Sequence, residues 1–212
     1  MDSFFDAALL AEAADQLIEA GRRMDRFGWV PSFGGNISAR LDGRSIAITR
    51  SGGRKGFLGR DNIIAVDLEG RPLNAGDRPS AETLLHCHVY RDLPEVGAVL
   101  HGHSVAATVL SRLVTGPAIT LAGYEMIKAF EIHHTHDVRV SVPVFENSQD
   151  MERLVHDIGP ELPRHIPGYI LRGHGAYAWG RTVDNAMANL EALEFLLQCE
   201  LETLKVRGLS AA

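Results

Sequence analysis

GYILRGHGAYAWG (168–180) reads as a short apolar strand that ends on a histidine between two glycines, followed by a second strand returning antiparallel. GAVLH (97–101) is another short apolar strand, and it runs directly into a second histidine site, His101 and His103. Upstream, SFGGNISAR (32–40), SIAITRSGG (45–53) and NIIAVDLEG (62–70) are short strands broken by glycine turns, and residues 118–122 and 138–145 complete the strand set.

Helical spacing occupies the rest. Leu9, Leu10, Ala13, Ala14, Leu17, Ile18, Gly21 and Met24 recur through 6–27, with Gly28 as a stop. Residues 80–92 return to that period, with Ser80 as N-cap and Pro94 beyond the end. Residues 104–113 are helical, and 182–206 form the longest helix, with Leu190, Leu193, Leu196, Leu197 and Leu201 on one side. Strands and helices mix without strict alternation, which predicts an α/β fold of three layers, α/β/α, around a central mixed, mainly antiparallel sheet. With 212 residues, 45% hydrophobic content and no repeat or linker, the expectation is a single domain over 1–212.

A net charge of −6 argues against nucleic acid or an anionic membrane as a partner through bulk charge, so an anionic ligand must be caught by a local site. Two distant cysteines, Cys87 and Cys199, no basic-then-apolar leader and no bilayer-length apolar run predict a cytoplasmic chain with reduced thiols.

In VLHGHS (99–104) the two histidines stand two apart at a strand end, and residues i and i+2 of a strand share a face. His174, flanked by Gly173 and Gly175, offers a third imidazole at another strand end. Three neutral imidazoles on one divalent ion leave a coordination position open for substrate. Spacing alone leaves three ordinary strand-end histidines as the alternative.

GGNIS (34–38), TRSG (49–52), PSAE (79–82), HGHS (101–104) and RGHG (172–175), in that order, resemble the class II aldolase and adducin-head family over residues 8–200. ITRSGGRKG (48–56), LAGYEMIKAF (121–130) and THDVRVSVPVFENSQD (135–150) make the resemblance nearest to that family's methylthioribulose-1-phosphate dehydratase branch. Gly102 stands where Thr is common between the paired histidines, and it carries no ligand atom.

The resemblance implies one divalent metal per subunit on His101, His103 and His174: zinc first, with iron, cobalt, nickel or manganese as alternatives. It implies a phosphorylated sugar substrate, with Gly35, Asn36, Ser51, Gly52, Lys55 and Ser80 around the phosphate. Glu125 is expected as the principal acid/base and Glu82 as a carboxylate near the metal. The implied reaction is loss of water from a methylthiopentulose phosphate. Aldol cleavage or epimerisation of a related sugar phosphate, and a non-catalytic scaffold, are the alternatives. Cyclic homotetramers are the family's usual assembly. His86 and His88 diverge on a helix and are expected to hold no second metal; Tyr177 and Cys199 are read as packing residues.

Overall fold

The computed structural model describes residues 6–131 and 133–210. Helix α1 (Ala7–Arg26) begins where the Asp6 carboxylate accepts the Ala8 N–H, and it ends just before Gly28. Its buried face is the expected apolar stripe from Ala13 to Met24, while Leu9 stays exposed and Leu10 half-buried; Leu17 and Met24 are fully covered, each contributing about 1.5–3 kcal/mol by leaving water.

Eight strands follow: β1 (Asn36–Arg40), β2 (Ser45–Thr49), β3 (Ile63–Asp67), β4 (Ala98–Gly102), β5 (Ala118–Ala122), β6 (Arg139–Phe145), β7 (Gly168–Leu171) and β8 (Gly175–Gly180). They form one sheet in the order β3-β2-β1-β4-β8-β7-β6-β5. Every neighbouring pair is antiparallel except β6 with β7, as the mixed pattern predicts. The other helices are α2 (Thr83–Asp92), α3 (Val105–Leu113), α4 (Met151–Ile158) and α5 (Val183–Ser210).

Two cores flank the sheet, giving the three expected layers. Helices α1, α3 and α5 pack with Ile37, Ala39, Ala98, Leu100, Ala176 and Ala178. Helices α2 and α4 pack with Ile46, Ile48, Val99, Tyr177 and Trp179 on the opposite face. Strand β4 therefore sends Ala98 and Leu100 to one core and Val99 to the other, and all of its residues are buried. His101 falls on the parity of Val99, at the end of the most central pairing of the sheet.

Two expectations change. Ser80 is not the cap of α2: the helix starts at Thr83 with Glu82 at its N-cap position. Ser80 is tied instead to the edge of β2, its N–H donating to the Thr49 carbonyl beside an Arg50–Pro79 bridge. Cys199 is half-buried on α5 rather than a core residue.

Candidate active site

The end of β4, the turn between β7 and β8, and the start of α2 bring four side chains together. Ligand atoms of Glu82, His101, His103 and His174 all lie within 4.8 Å of one another, and among the described residues this is the metal-competent group. The Nε2 atoms are separated by 2.9 Å (His101–His103), 3.0 Å (His103–His174) and 3.4 Å (His101–His174). Glu82 stands against two of them, Oε2 at 3.3 Å from His101 and Oε1 at 3.2 Å from His174.

The tautomers follow from the other ring nitrogen. His101 donates Nδ1–H to the Ala176 carbonyl at 2.9 Å, and His174 Nδ1 faces Asn147 Oδ1 at 3.3 Å. Both rings thus turn an Nε2 lone pair inward. Burial first, then the neighbouring His103 and His174, hold His101 well below the ordinary histidine range. Burial and then His174 bring His103 down to about 4. Neutral imidazoles are the ligating form. A neutral His101 lone pair facing a carboxylate is repulsive rather than a salt bridge, and a cation between them removes the conflict. Four donors about 2.05 Å from a tetrahedral zinc are separated by about 3.3 Å, close to the observed spacings.

Local backbone sets this up. Gly173, at φ +67°, turns the chain between β7 and β8. At Gly175 a Cβ would stand 2.1 Å from the Gly102 carbonyl, so only glycine lets β8 close against β4 beside the cluster. The turn is clamped from α3: Thr108 Oγ1–H donates to the His174 carbonyl, and Gly173 N–H donates to Ser111 Oγ. The Arg172 guanidinium donates to the carbonyls of Ser111, Val114 and Gly116.

A cavity of about 470 Å³ opens over the cluster. Gly35, Asn36, Ser51, Gly52, Lys55 and Ser80 all line it, together with Glu82, His103 and His174. Lys55 is 3% exposed and donates to the Phe33 and Gly53 carbonyls; burial lowers its ammonium from the usual range, partly offset by Glu82. Asn36 is differently employed from its expected role. Its Nδ2 donates to Glu82 Oε2 and its Oδ1 meets His86 Nε2, so both ends of the amide are occupied. Arg50 and Gln149 also line the cavity. Neither stands out by spacing, although Gln149 lies in the quoted 135–150 segment. Arg50 is paired with Asp77 at 2.5 Å.

Glu125 is elsewhere. It opens a 3-10 turn (Glu125–Ala129), its side chain is 70% exposed, and it is absent from the lining of this cavity. Lys128 pairs with it and holds it below the usual carboxylate range, with His136 Nδ1 at 3.4 Å adding to that. A larger cavity of about 640 Å³ lies near this turn, walled by Trp29, Val105, Met126 and Phe195, without the metal-competent group.

The order of the motifs and the fold agree with the comparisons. Residues 15–201 match the Class II Aldolase and Adducin N-terminal domain. The chain belongs to this family. A methylthioribulose-1-phosphate dehydratase from Gluconacetobacter diazotrophicus is 61% identical over 196 residues, 92% of this chain and 96% of that relative. One from Acidiphilium cryptum is 56% identical, covering 94% of both chains. Among solved structures of class II aldolase relatives, L-fuculose-1-phosphate aldolase from Thermus thermophilus superposes with a TM-score of 0.75 at 26% identity, over 95% of this chain and 97% of that one.

Proposed function

We propose that this class II aldolase family member is a metal-dependent hydro-lyase. It converts 5-methylthioribulose 1-phosphate into 2,3-diketo-5-methylthiopentyl 1-phosphate and water, a step of methionine salvage. The observation that carries the reading is the three-imidazole and carboxylate cluster beneath a cavity of about 470 Å³, in a chain 61% identical to a dehydratase of that name.

His101, His103 and His174 would hold the ion, zinc by the chemistry of the donor set, with Glu82 at its side. Bound there, a divalent ion supplies Lewis acidity for negative charge that develops on the substrate's C2 oxygen. Ser51 and Ser80, the N–H groups around Gly35 and Gly52, and the Lys55 ammonium are suited to anchor the phosphate and fix which carbon faces the acid/base. Asn36 contributes through Glu82. The Glu125 carboxylate accepts the C3 proton and returns a proton to the departing C4 hydroxyl, which leaves as water. The resulting enol tautomerises to the diketone. Such acid/base assistance is typically worth about 10²–10⁴-fold.

Glu125 is solvent-facing in one protomer. The reading therefore has it serve the cavity of a neighbouring subunit in a homotetramer. Exposed Phe27, Val105, Met126 and Phe195 give this side of the protomer the apolar surface such an assembly needs. Free Cys87, with its thiol pushed up to about 12 by burial, fits the reducing setting of a cytoplasmic enzyme.

One assay tests the reaction. Metal-loaded protein is given 5-methylthioribulose 1-phosphate and followed for diketone absorbance. In parallel, fuculose and ribulose phosphates are followed for dihydroxyacetone phosphate or glycolaldehyde phosphate. Diketone formation is expected; cleavage products without diketone overturn the reading in favour of an aldolase.

A further inference from the structure

Strand β1 and helix α2 meet as a zipper of polar groups beneath the cluster. Two residues along a strand advance about 6.6 Å and four along a helix about 6.0 Å, so the two periods nearly coincide. Asn36, Ser38 and Arg40 are spaced by two on β1; Glu82, His86 and Tyr90 are spaced by four from the N-cap of α2 onward. They interleave. Asn36 Nδ2 donates to Glu82 Oε2 at 2.5 Å, and Asn36 Oδ1 meets His86 Nε2. His86 Nδ1 meets Ser38 Oγ at 2.7 Å, and Ser38 Oγ meets Tyr90 OH at 2.8 Å. Arg40 closes the row by donating to the Tyr90 and Val96 carbonyls, its guanidinium 4.8 Å above the Tyr90 ring.

The polarity of this row has one solution. A carboxylate only accepts, so the Asn36 amide must turn its NH₂ to Glu82 and its oxygen to His86. His86 must then carry its proton on Nε2. Its ring is fully buried and held down to about 3, first by desolvation and then by His101, so it is neutral and Nδ1 accepts from Ser38. Ser38 has one proton, so Tyr90 is the donor to Ser38. The row has no spare donor or acceptor at His86, and it ends on the one carboxylate of the cluster.

We infer that His86, acting through Asn36, is a positioning residue that aims the Glu82 carboxylate at the three imidazoles. The inference rests on the reading of Glu82 as the carboxylate beside the metal. It gives a function to a histidine whose two ring nitrogens are already taken by Asn36 and Ser38 and so are not offered to the ion, and it distinguishes His86 from His88, which pairs with Asp92 on the same helix.

The test is Zn²⁺ affinity by chelator competition, with kcat and KM for diketone formation, on single and paired variants. His86→Leu is expected to weaken Zn²⁺ by about 10–100-fold and to lower kcat more than it raises KM. His86→Gln keeps an N–H near the Nε2 position and recovers most of the loss. In a Glu82→Gln background His86→Leu changes Zn²⁺ affinity by less than about 3-fold, because the group it orients is gone. An equal loss in both backgrounds, or a Gln variant no better than Leu, overturns the inference and leaves His86 as packing. If His86→Leu does not accumulate as folded protein, Ser38→Ala removes the donor at Nδ1 with little change in volume, and the same cycle with Glu82→Gln is read on it. The two readings fail differently. Wild-type Zn²⁺ affinity and diketone formation in Glu82→Gln alone sink the role of Glu82. Loss of both, with an additive His86 effect, sinks only the positioning role.

Discussion

The histidine cluster and the Glu125 turn are built from opposite kinds of scaffold. His101 is fully buried on a central strand, its ring stacked on Tyr177 at 4.0 Å and its Nδ1 fixed by the Ala176 carbonyl. His174 sits in a turn clamped to α3 by Thr108, Ser111 and Arg172. Glu125 stands on five residues of 3-10 helix, 70% exposed, with Lys128 and His136 as its ionic partners. The first region is complete in one protomer. On the proposed function, the second would act in catalysis only where another surface covers it, so the site would be rigid where it holds the ion and dependent on assembly where it moves the proton.

The comparison breaks most directly at the cluster. His101→Ala removes the central donor, and diketone formation is expected to fall by at least about a thousandfold as several kcal/mol of charge stabilisation are lost. Metal analysis of the same sample should show the ion gone; retained metal with full activity would move the centre elsewhere. Glu125→Gln should cost about 10²–10⁴-fold in kcat, with metal content and melting temperature unchanged. Mixing Glu125→Gln subunits with His174→Ala subunits should restore part of the activity, since each supplies what the other lacks. Failure to recover any activity on co-assembly would confine Glu125 to its own protomer.

Acid stability sharpens the contrast between buried and exposed groups. His86 binds protons more weakly folded than unfolded, its value falling from 6.5 to about 3 through burial. As pH drops below 6.5 the unfolded chain takes up that proton first. The stability contributed by neutral His86 is therefore full above 6.5 and declines as pH falls toward 3, by at most about 1.4 kcal/mol per pH unit. Urea unfolding midpoints across this range should slope accordingly, and His86→Gln should flatten the slope; an unchanged slope would mean that His86 is not the titrating group. Glu125, 70% exposed and held below its ordinary value of 4.5 by Lys128, enters only at the acid end, so the slope between 6.5 and 4.5 is free of it. The smallest effect is expected at the cavity rim, where Ser51→Ala would remove one charge-assisted hydrogen bond to the proposed phosphate position and should raise KM by about 10-fold with kcat nearly constant.

Much of this was legible in local patterns. The strand breaks at glycine, the stripe of α1, and the His101/His103 pair at a strand end are short-range features, and period-two and period-3.6 spacing report them directly. That Gly35, Asn36, Ser51, Gly52, Lys55 and Ser80 line one cavity was legible through motif order, since loop residues that share a cavity need not share any periodicity. The helical spacing of its neighbours marks Ser80 as a cap, whereas in the fold its backbone is bound to Thr49 across a loop. Asn36 was read as a phosphate donor, and the fold occupies its amide at both ends.

By itself, the sequence determined the eight strands and every α-helix except α4 (Met151–Ile158), and that His101, His103 and His174 end apolar strands beside glycine. Those are properties of a few consecutive residues. Tertiary structure alone decided that Glu82 meets the imidazoles, that Asn36 and His86, 50 positions apart, lock its direction, and that Glu125 faces away from its own cavity. The reason is geometric. Strand β1 and helix α2 lie side by side with nearly commensurate steps, and no local pattern records which helix face a distant strand will meet.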